Sequence, residues 1–191
     1  MDKDRLDAFT DGLFAVVITI MVLELKPPTG GDAAGLLPTL PIFLAYVLSY
    51  ANVGIYWMNH HHMMHAVERI DGRVLLANLH LLFWISLVPF VIRWIDEAGV
   101  APWPTFAYGF ILSMAAIGYV ILQAALIHAD GPGSKLKAAV GDDRKGKLSL
   151  ALYVAGMALA FFAPYAAAAI YVAIAAIWLV PDRRIERPPA G

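Results

Sequence analysis

The chain has 191 residues, of which 60% are hydrophobic and only 15% charged. An ordinary globular protein carries about 25% charged residues, so a soluble domain is excluded. The roughly 115 apolar positions in the 191 residues match six membrane crossings at about 20 residues each. Fourteen basic and fifteen acidic side chains leave a net charge of −1, which offers no bulk basic field to nucleic acid. Without cysteine there is no disulfide and no thiolate redox site.

The opening MDKDRLDAF mixes acidic and basic residues, and the apolar run behind it lacks a small-residue cleavage site. It reads as a first membrane helix over 6–25, not a removable signal. PPTGGDAAG makes a flexible turn, and apolar runs at 38–64, 73–95 and 105–127 make helices two to four. The longest loop, HADGPGSKLKAAVGDDRKGK, follows helix four. Helices five and six are expected at 148–163 and 165–181, with Pro164 as their only separator; a single kinked helix is the alternative. The expected fold is an all-α integral membrane protein, one domain over 1–191 with six transmembrane helices per subunit.

Basic residues orient the chain. With the N-terminus inside, twelve of the fourteen (Lys3, Arg5, Arg69, Arg73, Lys135, Lys137, Arg144, Lys145, Lys147, Arg183, Arg184 and Arg187) fall on the inner side. Only Lys26 and Arg93 lie outside. Five spans would put the last three arginines on the wrong side, so the charge bias favours six, with both termini cytoplasmic and the chain multi-pass in a cell membrane.

Ionisable and strongly polar groups inside a span are costly and need a partner or a task. Asp11, Asn59, His60, His61 and Asn78 all sit about four to six residues from the inner ends of helices one to three, roughly 6–9 Å deep at 1.5 Å per residue, so they can meet. The expected clasp joins Asp11, a histidine and Asn78, with Arg5 as counter-ion. It either locks the three helices together or also sets a conformational equilibrium or carries protons. NHHHMMH spaces His61 and His65 four apart, but no second histidine box supports a metal centre. No metal, cofactor or catalytic set is expected.

On a helical wheel Phe9, Gly12, Val16, Thr19 and Leu23 share one stripe at heptad spacing, the pattern of a helix that packs around an axis. Asp11, five residues from Val16, points about 140° away. No TVGYG filter, re-entrant loop or arginine ladder is present in the sequence.

The segment Arg5-x-x-x-Phe9-Thr10-Asp11-Gly12, continuing through FAVVITIMVLELK, resembles the opening of the bacterial members of the lysosomal potassium channel family, the transmembrane protein 175 type, whose first helix carries Arg-x-x-x-Phe-Ser-Asp. Trp57-Met58-Asn59-His60-His61, Asn78 and Leu87-Val88-Pro89-Phe90 also fit it. The resemblance implies a homotetramer whose first helices line a potassium-permeable pore without a pore-loop filter. Carried over, Val16, Thr19 and Leu23 are the pore layers, while Arg5, Phe9, Thr10 and Asp11 form the signature at the inner end. Thr10 stands where the family has Ser, and Val16 is smaller than the usual Ile or Leu. Glu24, just beyond Leu23, lies at the outer mouth. The resulting expectation is a passive channel preferring potassium to sodium. The rival is a proton-coupled transporter using Asp11 and the histidines, although no inverted repeat or broken-helix pair supports one.

Overall fold

A computed structural model describes residues 2–28, 33–141 and 143–179. Arg183, Arg184, Arg187 and the last two positions of the expected sixth helix lie outside the described residues. The first helix, α1 (Lys3–Leu23), is followed by a short 3-10 turn at Ala33–Thr39 and by α2 (Leu40–His65). Next come α3 (Gly72–Ser86) and α4 (Val88–Ala98), which together occupy the expected third span. Pro89 at the start of α4 explains the break. A proline ring has no N–H to give and crowds the carbonyl four residues back, so the helix ends at Ser86 and restarts beyond Leu87.

The expected fourth span is α5 (Pro102–Asp130), which opens on a proline and stops at Gly131, whose φ of 89° lies in the left-handed region. The loop after it contains a short helix, α6 (Lys135–Val140). Helices α7 (Arg144–Leu159) and α8 (Pro164–Leu179) then form an antiparallel hairpin, tied by a hydrogen bond from Trp178 Nε1 near the end of α8 to Ser149 Oγ near the start of α7 (2.8 Å). They are two helices and not one kinked rod. Among the described residues, four stretches are long and apolar enough to cross a membrane: Lys3–Leu23, Gly35–His65, Gly72–Ala98 and Pro102–Asp130. At 16 residues each, α7 and α8 are shorter.

Apolar lipid removes the usual hydrophobic incentive for helices to associate, so close packing and interhelical hydrogen bonds must hold the bundle. Both are present. Gly118 lets α5 lie against the backbone of α3 at Leu81, and a methyl group at Gly109 or Gly156 would overlap the Tyr171 ring that wedges between α5 and α7. Tyr108 Oη meets Ser49 Oγ at 3.1 Å and accepts from Asn52 Nδ2 at 3.4 Å, which joins α2 to α5.

Hydrogen bonds and ion pairs at the helix ends divide the molecule into two poles. At one pole Lys3 Nζ donates to the Val67 carbonyl, Glu68 N to Asp130 Oδ1 and Arg73 Nη1 to His128 Nε2. At the other, Lys26 pairs with Asp96 at 2.8 Å and Arg93 with Glu24 and Glu97. The hydrogen bond from Lys26 to Asp96 holds that ammonium above the ordinary lysine pKa.

Candidate functional site

The two sides of α1 differ in what they touch. Leu6, Thr10, Phe14, Val17 and Met21 recur at helical spacing and are buried in the subunit's own core. Phe9, Gly12, Val16, Thr19 and Leu23 lie on the other side and touch little of their own subunit: Val16 is 56% exposed and Leu23 75%. A methyl group at Gly12 would meet nothing within 4 Å. No packing inside the subunit therefore accounts for that glycine.

Thr19 Oγ1 donates to the Ala15 carbonyl one turn back, at 2.9 Å. This back-bond is common for helical hydroxyls, and it consumes the proton while leaving the oxygen lone pairs outward. An oxygen so arranged is an acceptor, suited to a cation and not to an anion. Val16 and Leu23 flank it with hydrocarbon.

Behind this face a buried polar chain joins three helices. Asn78 of α3 donates through Nδ2 to Thr10 Oγ1 of α1 at 2.9 Å, and its Oδ1 accepts from His60 Nε2 of α2, also at 2.9 Å. All three residues are buried. Both ends of the Asn78 amide are thereby satisfied, and the bond it accepts puts the proton of His60 on Nε2. Interhelical hydrogen bonds in membrane bundles are worth only about 0.6 kcal/mol on average. Stranding a buried partner costs more, about 1–3 kcal/mol per group.

Asp11 was expected in that chain and does not join it. It is exposed, and its Oδ1 accepts from Trp57 Nε1 of α2 at 2.8 Å. The reason is angular: one residue turns a helix by about 100°, so when Thr10 points at Asn78 its neighbour points along α2. Arg5 is exposed too, and among the described residues no ion pair joins it to Asp11. His61 also stays outside the clasp, its ring tilted against that of His65 with centroids 4.1 Å apart. The Asp11–Trp57 bond was foreshadowed only by the indole N–H, a donor that seeks a partner when it lies in a membrane.

At its C-terminal end Glu24 caps α1. Its carboxylate lies 3.5 Å from Arg93 Nη1 of α4, and Arg93 also meets Glu97 at 3.1 Å. Glu24 is thus partly compensated. Among the described residues no group of three or more His, Cys, Asp or Glu side chains is arranged around a common point as metal ligands.

The stripe, the clasp and the Trp57 contact all lie within residues 5–89, which match the family model for the endosomal/lysosomal potassium channel TMEM175. A potassium channel of Chryseobacterium sp. (strain P1-3), HX13_20290, is 50% identical over 187 residues, spanning 98% of this chain and 97% of that one. The chain belongs to the TMEM175 ion-channel family. The TMEM175 proteins of animals are larger: the human endosomal/lysosomal proton channel TMEM175 is 33% identical over 101 residues, 47% of this chain and 20% of its own. The fold agrees as well. A crystal structure of a lysosomal potassium-selective TMEM175 homologue from Chamaesiphon minutus superposes with a TM-score of 0.77 at 28% identity, covering 94% of this chain and 97% of the other. Membership places the protein in a membrane.

Proposed function

We propose that this TMEM175 chain is the subunit of a homotetrameric, potassium-preferring cation channel whose pore is lined by α1. The observation that carries this reading is the division of α1 into a face spent on its own subunit and a stripe, Gly12, Val16, Thr19 and Leu23, left free. Around a fourfold axis, Gly12 lets the inner ends of the helices approach. Four Thr19 oxygens replace part of the water shell of a potassium ion, and the Val16 and Leu23 rings resist passage by dewetting where they are narrow. Glu24, balanced by Arg93, sets the charge of the outer mouth. Potassium is the permeant species and no cofactor takes part; the flow is passive and no bond is made or broken.

In this reading the α7/α8 hairpin supplies the fifth and sixth crossings. Sixteen residues give about 24 Å, which falls short of a core of about 30 Å and is met by local thinning and by snorkelling basic residues. The pole that carries Lys3, Arg69, Arg73 and Lys135 is cytoplasmic, as are both ends of the chain, and the host is the bacterial inner membrane.

Named relatives include proton channels as well as potassium channels. Coupled transport through the histidines gains nothing from the geometry, because the Thr10–Asn78–His60 chain is closed within the core. Flux into liposomes separates the readings. A channel passes potassium down its gradient with no pH difference and passes less sodium, whereas impermeability to both ions at every voltage and pH overturns the proposal. Val16→Cys adds a single thiol to a chain that has none. Oxidation should then join copies through their first helices.

A further inference from the structure

We infer that a crevice between α2, α5, α7 and α8 binds one anionic phospholipid, with an acyl chain against Ile55, Ile117 and Leu150 and the phosphate at Lys147. The crevice has a volume of about 280 Å³ and is lined mostly by hydrocarbon and aromatic rings. Several of its polar side chains are already engaged. Asn59 Nδ2 donates to the Ile55 carbonyl, Asn52 Nδ2 to the Leu48 carbonyl and Tyr108 Oη, and Tyr56 Oη to the Leu112 carbonyl. Ser149 Oγ donates to the Lys145 carbonyl while accepting from Trp178. With these groups occupied, the interior presents mainly hydrocarbon beside the Tyr119 and Tyr153 rings and selects a largely apolar occupant.

The mouth differs in charge from the interior. Lys147 lies three residues into α7, at the basic pole, and among the described residues no carboxylate pairs with it. Asp143 also lines the crevice, but its Oδ1 caps α7 by accepting from Gly146 N at 3.1 Å. Lys145 sits over the Trp178 ring, 5.9 Å from its centroid, which adds positive charge beside an interfacial indole. From Lys147 to Tyr153 the wall runs inward by about 9 Å at 1.5 Å per residue. An apolar slot of that depth with a cation at its lip matches a lipid tail and an anionic headgroup.

This inference uses only the membrane setting and does not depend on how α1 conducts. Native mass spectrometry of the full-length protein, with dioleoyl phosphatidylglycerol or dioleoyl phosphatidylcholine added, tests it. Wild type should keep one phosphatidylglycerol per chain under activation that strips phosphatidylcholine. Lys147→Gln should lose that preference, and Leu150→Trp, whose indole fills the slot, should lose the adduct. Equal retention of the two lipids by wild type, or a preference unchanged by Lys147→Gln, overturns the proposal. So does an unchanged adduct in Leu150→Trp.

Discussion

Thr10 and Thr19 stand on the same helix nine positions apart and illustrate two uses of one side chain. Thr10 is buried and accepts from Asn78, so its methyl and hydroxyl are both spent on the subunit core. Thr19 is exposed, and its hydroxyl donates to its own helix backbone, at Ala15. Nine residues correspond to 2.5 turns, which puts the two threonines on opposite sides of α1. The lesson is that a polar residue in a membrane helix is not in itself a sign of permeation. Its azimuth relative to the neighbouring helices decides whether it locks the fold or faces outward.

That contrast breaks most sharply at Asn78. Asn78→Ala strands the Thr10 hydroxyl and the His60 ring together, and at about 1–3 kcal/mol per buried group the loss should reach about 2–6 kcal/mol. Thermal unfolding in detergent should show a large fall or no folded protein; wild-type stability would mean that the clasp holds nothing. On the outward side, Leu23→Ser should raise the leak through liposomes several-fold while leaving the unfolding temperature nearly unchanged, because a residue 75% exposed contributes little to its own core. Ile18, partly buried against the core, is the control: Ile18→Ser should destabilise without raising the leak.

Thr19→Val should act on selectivity alone. All four Thr19 oxygens are lost together, and a net difference between the two ions of about 1 kcal/mol, the scale of one hydrogen bond, lowers the potassium-to-sodium permeability ratio roughly fivefold. Bi-ionic flux measurements would read this, and an unchanged ratio places selectivity elsewhere. The smallest effect belongs to Asp11→Asn. The amide oxygen still accepts from Trp57 at an exposed position, so stability should fall by less than about 1 kcal/mol. A fall as large as that of Asn78→Ala would show that Asp11 and the buried chain act as one unit.

Much of this arrangement was legible beforehand. Long apolar runs announce helices because a spanning backbone must satisfy its own hydrogen bonds, and the runs over 6–25, 38–64 and 105–127 correspond to α1, α2 and α5. The outward stripe of α1 follows from periodicity, which needs no knowledge of neighbours. Membership of the clasp was only partly legible: His60 and Asn78 were in the expected group, but Asp11 drew attention by its charge while Thr10 takes the position. Composition cannot distinguish adjacent residues about 100° apart.

By itself, then, the sequence determined the medium, the helical class and the free face of α1, since hydropathy and period are properties of the chain alone. It also determined the uneven split of basic residues between the two ends. Tertiary structure alone decided that Thr10 rather than Asp11 meets Asn78, that Trp57 takes Asp11, and that Arg93 compensates Glu24. The crevice between α2, α5, α7 and α8 belongs with these. Each depends on the rotation and depth of one helix against another, and those are set by close contacts such as Gly118 on Leu81 and Tyr171 between two glycines, which join residues far apart in the chain.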